Sequence, residues 1–214
     1  MFRFVRTISL SALLMLSAGR LALGAQESAE VTATEGQVYE AVFDLMQFPK
    51  ENPHVLIANT TLNSGCGERS GNPVLMNGCG MWGPPSSIQE VGKLLHHSWP
   101  QIAQATWHDL VRKSATSARL QDTLKVPWPH KVVDLASKIP PTEEWKFPDG
   151  VIFLSRVGLN VKRSEAIVYV LFFSYMEEVS TSGNFFLFRL NQNKHWEPAG
   201  RVTYMKKAKN TTDK

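Results

Sequence analysis

The chain has 214 residues, 43% hydrophobic and 20% charged, without repeats, heptads or long low-complexity tracts. Those proportions suit a globular fold and exclude disordered, collagenous and coiled-coil classes. The formal net charge is +4, but Arg3, Arg6 and Arg20 lie in the first 24 residues with no acid beside them; the remainder carries 20 basic against 19 acidic residues, a net +1, which excludes an electrostatic case for a nucleic-acid partner.

Arg3 and Arg6 open the chain with positive charge, Ile8 to Ala18 is apolar or small, and Ala22-Leu23-Gly24 supplies small residues at a cleavage position. This layout predicts a secretory signal peptide over 1–24, cut between Gly24 and Ala25. The protein is then exported to the periplasm or the extracellular space. The apolar run, roughly 11 residues, is well short of the ~20 needed to span a bilayer. An uncleaved anchor is the alternative. No later segment is apolar enough to span, so no transmembrane segment is expected after signal removal. The rest, about 190 residues, suffices for one domain burying roughly 70% of its unfolded surface. We place that domain at 25–205, with a polar lead-in at 25–33. A basic disordered tail with Lys206, Lys207 and Lys209 follows at 206–214.

Thr34-Glu-Gly-Gln37 fits a capping box, and Val38, Ala41, Val42, Leu45 and Met46 follow at helical spacing. That helix should end near Phe48-Pro49. Val55 to Ala58 reads as a strand. Cys66 and Cys79 come next, each flanked by glycine. In an exported chain an even cysteine count favours a disulfide, stabilising by roughly 3 kcal/mol for a loop of this size. A metal site completed by His96 and His97 would lack both a Cys-x-x-Cys pair and a His-x-x-x-His spacing, so neither metal nor cofactor is expected. Ser87-Ile-Gln-Glu90 is a second capping box, with Ile88, Val91, Leu94 and Leu95 on one face. Pro100 fits the first turn of a third helix with the face Ile102, Ala105, Leu110 and Val111. His130 to Leu135 is a further candidate strand.

The last third reads as antiparallel sheet. Phe147-Pro-Asp-Gly150 is a turn feeding Val151–Val157. Ala166–Tyr175, Phe185–Leu190 and Trp196–Met205 follow with short connectors. Helices first and strands last define an α+β class, with N-terminal helices packed on a C-terminal antiparallel meander of about four strands. A cystatin-like or NTF2-like cone is the natural small solution.

Few residues suggest chemistry. His97 and His108 would share a face on one unbroken helix, but Pro100 between them restarts the helix, so joint metal or catalytic work is not expected. No Gly-x-Ser-x-Gly elbow, phosphate-binding loop or dinucleotide fingerprint is present. Glu143-Glu144 and Glu177-Glu178 read as solvated charge. Phe172, Phe173, Phe185, Phe186 and Phe188 lack interleaved basic residues and read as core. Pro127-Trp128 matches a cystatin dipeptide but precedes the main strands, and no Gln-x-Val-x-Gly loop accompanies it. Arg156 is the odd residue in an apolar strand. It would pair with Glu165, sit at an exposed edge, or receive an anion inside a cavity.

Phe147-Pro-Asp-Gly150, Leu154-Ser-Arg-Val-Gly158 with Asn160, and Ala166-Ile-Val-Tyr-Val170 resemble a group of uncharacterised exported bacterial proteins. In those a Phe-Pro turn closed by glycine leads into a Leu-Ser-Arg-Val-Gly-Phe-Asn strand and then an Ala-Leu-Val-Tyr-Val strand. This chain has Leu159 in place of the Phe. It also has Asn193-Lys-His-Trp196 where a Gly-Lys-Trp hairpin is usual. The resemblance covers about a third of the mature chain and implies no particular activity. The expected function is a non-enzymatic binding or structural domain whose partner is an envelope protein or a small ligand. The alternative is a small envelope hydrolase using the concave face of a curled sheet, with Arg156 and a histidine as polar groups.

Overall fold

A computed structural model describes residues 29–48, 54–62, 85–120, 124–134, 149–174 and 180–204. The signal peptide expected over 1–24 with its Gly24–Ala25 cut, the disulfide expected between Cys66 and Cys79, both Glu-Glu pairs and the basic tail expected at 206–214 lie outside the described residues. In chain order the elements are β1 (Ala29–Glu30), α1 (Ala33–Leu45), β2 (Val55–Ala58), α2 (Pro85–Ser98), α3 (Gln104–Lys113), β3 (Ala118–Arg119), β4 (His130–Val133), β5 (Gly150–Leu154), β6 (Gly158–Leu159), β7 (Glu165–Ser174), β8 (Ser180–Leu190) and β9 (Trp196–Thr203).

The class is α+β. The strand order is β4-β2-β5-β7-β8-β9, with β6 paired to β7. From β5 to β9 the pairing is antiparallel and forms the four-strand meander. β2 extends it by pairing in parallel with both β5 and β4. β2 and β5 are buried at every residue, which explains their uninterrupted apolar sequences. β1 and β3 form a separate parallel pair.

Both faces of the sheet are covered. Val38, Val42 and Phe43 of α1 pack with Val55, Ile57, Ile152, Leu154, Val168 and Phe188 on one side. Val91 and Leu95 of α2 and Leu110 of α3 pack with Leu56, Val151, Phe153, Ile167, Phe185 and Leu187 on the other. Alternation along β7 divides its residues between these clusters, since successive side chains point to opposite faces.

The helix starts differ from the sequence expectation. Thr32, not Thr34, caps α1, and Glu35 rather than Gln37 closes the capping box. Thr34 and Gln37 fall inside the helix. α2 begins at Pro85, so Ser87 lies within it. Pro100 remains in the connector, where the Ile102 N–H donates to the Trp99 carbonyl at 2.9 Å, and α3 starts only at Gln104. Ala103 at its N-cap has no capping side chain. Glu165 of β7 supplies the acceptor instead, taking the Ala103 N–H at 2.9 Å and the Thr106 hydroxyl at 2.7 Å.

Candidate functional site

Arg156 is buried, not at an exposed edge, and pairs with Glu35 rather than Glu165. It follows β5 and donates Nε to Glu35 Oε1 at 2.9 Å and Nη2 to Glu35 Oε2 at 3.0 Å. Both residues are buried. Glu35 Oε1 also accepts the Val157 N–H at 3.1 Å. Its Oε2 accepts the Thr32 N–H and hydroxyl, both at 3.0 Å. Five donors therefore converge on one carboxylate, as a buried charge requires.

Burial opposes ionisation of Glu35, but the bonds from Arg156 and Thr32 and the charges of Lys113 and Arg156 outweigh it and hold its pKa below the usual range. Asp109 is lowered in the same way: burial opposes ionisation, while Leu159 N–H, Arg112 and Lys113 favour it more strongly. A depressed carboxyl contributes stability above its unfolded pKa and loses it as pH falls through the folded value. The melting temperature should therefore hold near neutrality and fall below about pH 4.5. Circular dichroism melts over an acid series would check this, and Glu35→Gln should flatten the acid slope.

The surrounding polar groups continue the same framework. Tyr39 OH donates to the Ser155 carbonyl at 2.8 Å, and burial, reinforced by the Glu35 charge, pushes its pKa well up. Ser155 Oγ donates to the Arg156 carbonyl and accepts the Tyr169 N–H at 2.9 Å. Lys113 Nζ donates to the Val157 carbonyl at 3.0 Å and pairs with Asp109 at 3.1 Å. Asp109 Oδ2 accepts the Leu159 N–H at 3.0 Å. Asn160 Oδ1 accepts the N–H groups of Ser164 and Glu165, closing the turn into β7. The Leu154–Gly158 and Asn160 motif is thus a set of fold contacts. It ties α1 to the sheet through Glu35 and α3 through Lys113 and Asp109.

With its inner face anchored in this way, α3 turns its other side toward α2. A groove of about 830 Å³ lies between them. Ile88, Leu95, Ile102 and Val111 give it apolar walls. Lys93 and His96 of α2 and His108 and Arg112 of α3 line it as well, with the amides of Gln89 and Gln104. Gln104 Nε2 lies 3.5 Å from His108 Nε2. Gly92 allows Trp107 to approach α2: a Cβ there would stand 3.1 Å from the indole Nε1.

His97 and His108 stand on separate helices, in keeping with a break at Pro100; His96 is the histidine that shares the groove with His108. His130 packs beside Trp128, with Nδ1 3.1 Å from the Trp128 carbonyl. Trp128 also meets Phe43 and Phe48 edge-on and packs against the core, while Pro127 is exposed. Phe185, Phe186 and Phe188 are buried. Among the described residues no group of three or more His, Cys, Asp or Glu could hold a metal ion, and no helix is long and apolar enough to cross a membrane. The groove was not anticipated from sequence. Its one local signal is the helical spacing of Gln89, Lys93 and His96, matched by His108 and Arg112 four apart on the next helix.

Comparison of the chain with protein-family models, with curated proteins and with solved structures finds no match.

Proposed function

We propose that this chain is an exported, non-enzymatic binding domain of the envelope, held by a Cys66–Cys79 disulfide and using the α2–α3 groove to engage its partner or ligand. The observation that carries this reading is the contrast between two sets of polar groups. Glu35, Arg156, Ser155, Asp109 and Glu165 are engaged in internal bonds. Lys93, His96 and His108 are exposed and line a cleft with apolar walls, the mixture typical of small-molecule sites. The resemblance to exported bacterial proteins supports the compartment.

The hydrolase alternative draws less support. It requires Arg156 to be available on a concave sheet face, whereas Arg156 is tied to Glu35 and helices pack on both sides of the sheet. A cystatin-like or NTF2-like cone belongs to the proposed reading, as the finer description of the α+β fold.

Expression with the leader in a bacterium tests the proposal. Protein recovered from the envelope should begin at Ala25, carry no alkylatable thiol, and fail to turn over chromogenic esters, phosphoesters or glycosides. Turnover that co-purifies with the protein and disappears on substituting a groove residue would overturn it.

A further inference from the structure

From the groove chemistry we infer that the ligand is a small amphipathic carboxylate, an organic acid with an apolar acyl or aryl body. The assignment rests on the binding reading and deepens it. A groove of about 830 Å³ matches the size of small-molecule sites, commonly several hundred Å³. Its interior offers Leu95, Ile102, Val111 and the half-buried Trp107 to an apolar body.

The charge balance of the lining selects the polar end of the ligand. Lys93 and Arg112 are cationic, His96 and His108 offer ring N–H donors, and among the described residues no acidic residue lines the groove. The acid of α3 beside the groove is engaged elsewhere. Asp109 is bonded to Arg112, Lys113 and the Leu159 N–H. Glu90 is exposed on α2 near Tyr204, whose pKa is raised by burial and then by the Glu90 charge. Arg112 shares its charge with Asp109, and exposed Lys93 is the second cation at the rim. A carboxylate there would accept charge-assisted hydrogen bonds while its body replaced water against the apolar walls.

The site is also pre-formed. α3 is fixed to β6 and β7 by Glu165, Asp109 and Lys113, so Trp107 and His108 are presented from a rigid support.

Three probes with one body test the class: 4-phenylbutyrate, 4-phenylbutanamide and 4-phenylbutylamine. Each is titrated into the protein while the indole N–H resonance of Trp107 is followed, assigned by its loss in Trp107→Phe. The carboxylate should move that resonance and bind about tenfold or more tightly than the amide, and the amine should bind more weakly still. Lys93→Glu and His108→Glu alter exposed positions and should each weaken the carboxylate by about tenfold. Equal binding of the three probes, insensitivity to Lys93→Glu, or an unmoved Trp107 resonance would overturn the inference. Tighter competition by hexaglutamate than by phenylbutyrate would overturn it in favour of an acidic peptide. Preference for the amine would defeat the ligand class and leave the binding reading standing. Hydrolysis of the phenyl ester of the same acid would instead defeat the binding reading itself.

Discussion

Replacing Arg156 by methionine should destabilise the protein by about 3–5 kcal/mol, the usual cost of breaking a buried ion pair from one side. For a chain of this size that lowers the melting temperature by roughly 10 °C. The cost arises at Glu35, which is fully buried and would lose two of its five donors. Thr32 and the Val157 N–H would remain, so the carboxylate would be under-compensated rather than isolated. Glu35→Gln should be milder, because an amide oxygen can still accept from Thr32 or Val157. The double variant should be less destabilised than the sum of the singles, by about 0.5–3 kcal/mol, since it removes charge and counter-charge together. Urea denaturation of the four proteins measures that coupling. A loss below about 1 kcal/mol in Arg156→Met, within the range of exposed pairs, would mean the pair does not hold α1 to the sheet.

This pair also marks where sequence reasoning reaches its limit. Glu165 lies nine residues from Arg156, and Glu35 lies 121 away. Local spacing favours the near partner, but Glu165 is drawn to the start of α3, where Ala103 offers no capping group. The capping box of α1 follows the same logic. Thr32-x-x-Glu35 and Thr34-x-x-Gln37 both fit the pattern, and the distant Arg156 and Val157 decide between them by binding the Glu35 carboxylate. The strands were far more legible. β7 runs from Glu165 to Ser174 against an expected Ala166 to Tyr175, because a β-branched and aromatic run is a local signal. β8 begins five residues before the expected Phe185. Its opening Ser-Thr-Ser-Gly-Asn has little intrinsic strand preference and is held by pairing with β7. The parallel pairing of β2 with β4 and β5 joins segments far apart in the chain, and no short window contains it.

Gly158→Ala should be nearly as damaging as Arg156→Met, although it adds only a methyl group. A Cβ at this position would collide with the Thr106 carbonyl oxygen and stand 2.6 Å from Leu110 Cβ and 2.7 Å from the Leu110 nitrogen. Two of these neighbours are backbone atoms of α3 and cannot rotate aside, so the helix or β6 must move. Movement is resisted by the bonds that seat α3: Thr106 to Glu165, Asp109 to the Leu159 N–H, and Lys113 to the Val157 carbonyl. Overpacking of this kind costs about 1–3 kcal/mol, and loosening even one of those bonds adds about 1 kcal/mol. A loss of about 3 kcal/mol is therefore expected, read as a fall in the urea midpoint at unchanged m-value. Gly92→Ala is the control. Its nearest neighbour is the edge of the Trp107 side chain at 3.1 Å, and alanine gains up to about 1 kcal/mol over glycine inside a helix. Gly92→Ala should leave stability unchanged or slightly raised while shifting the Trp107 indole in the groove. Gly158→Ala should disturb the same indole from the opposite side of α3, because the helix that carries Trp107 is displaced as a body. Equal stability of the two alanine variants would show that α3 does not rest on Gly158, and the rigid support assigned to the groove would fall with it.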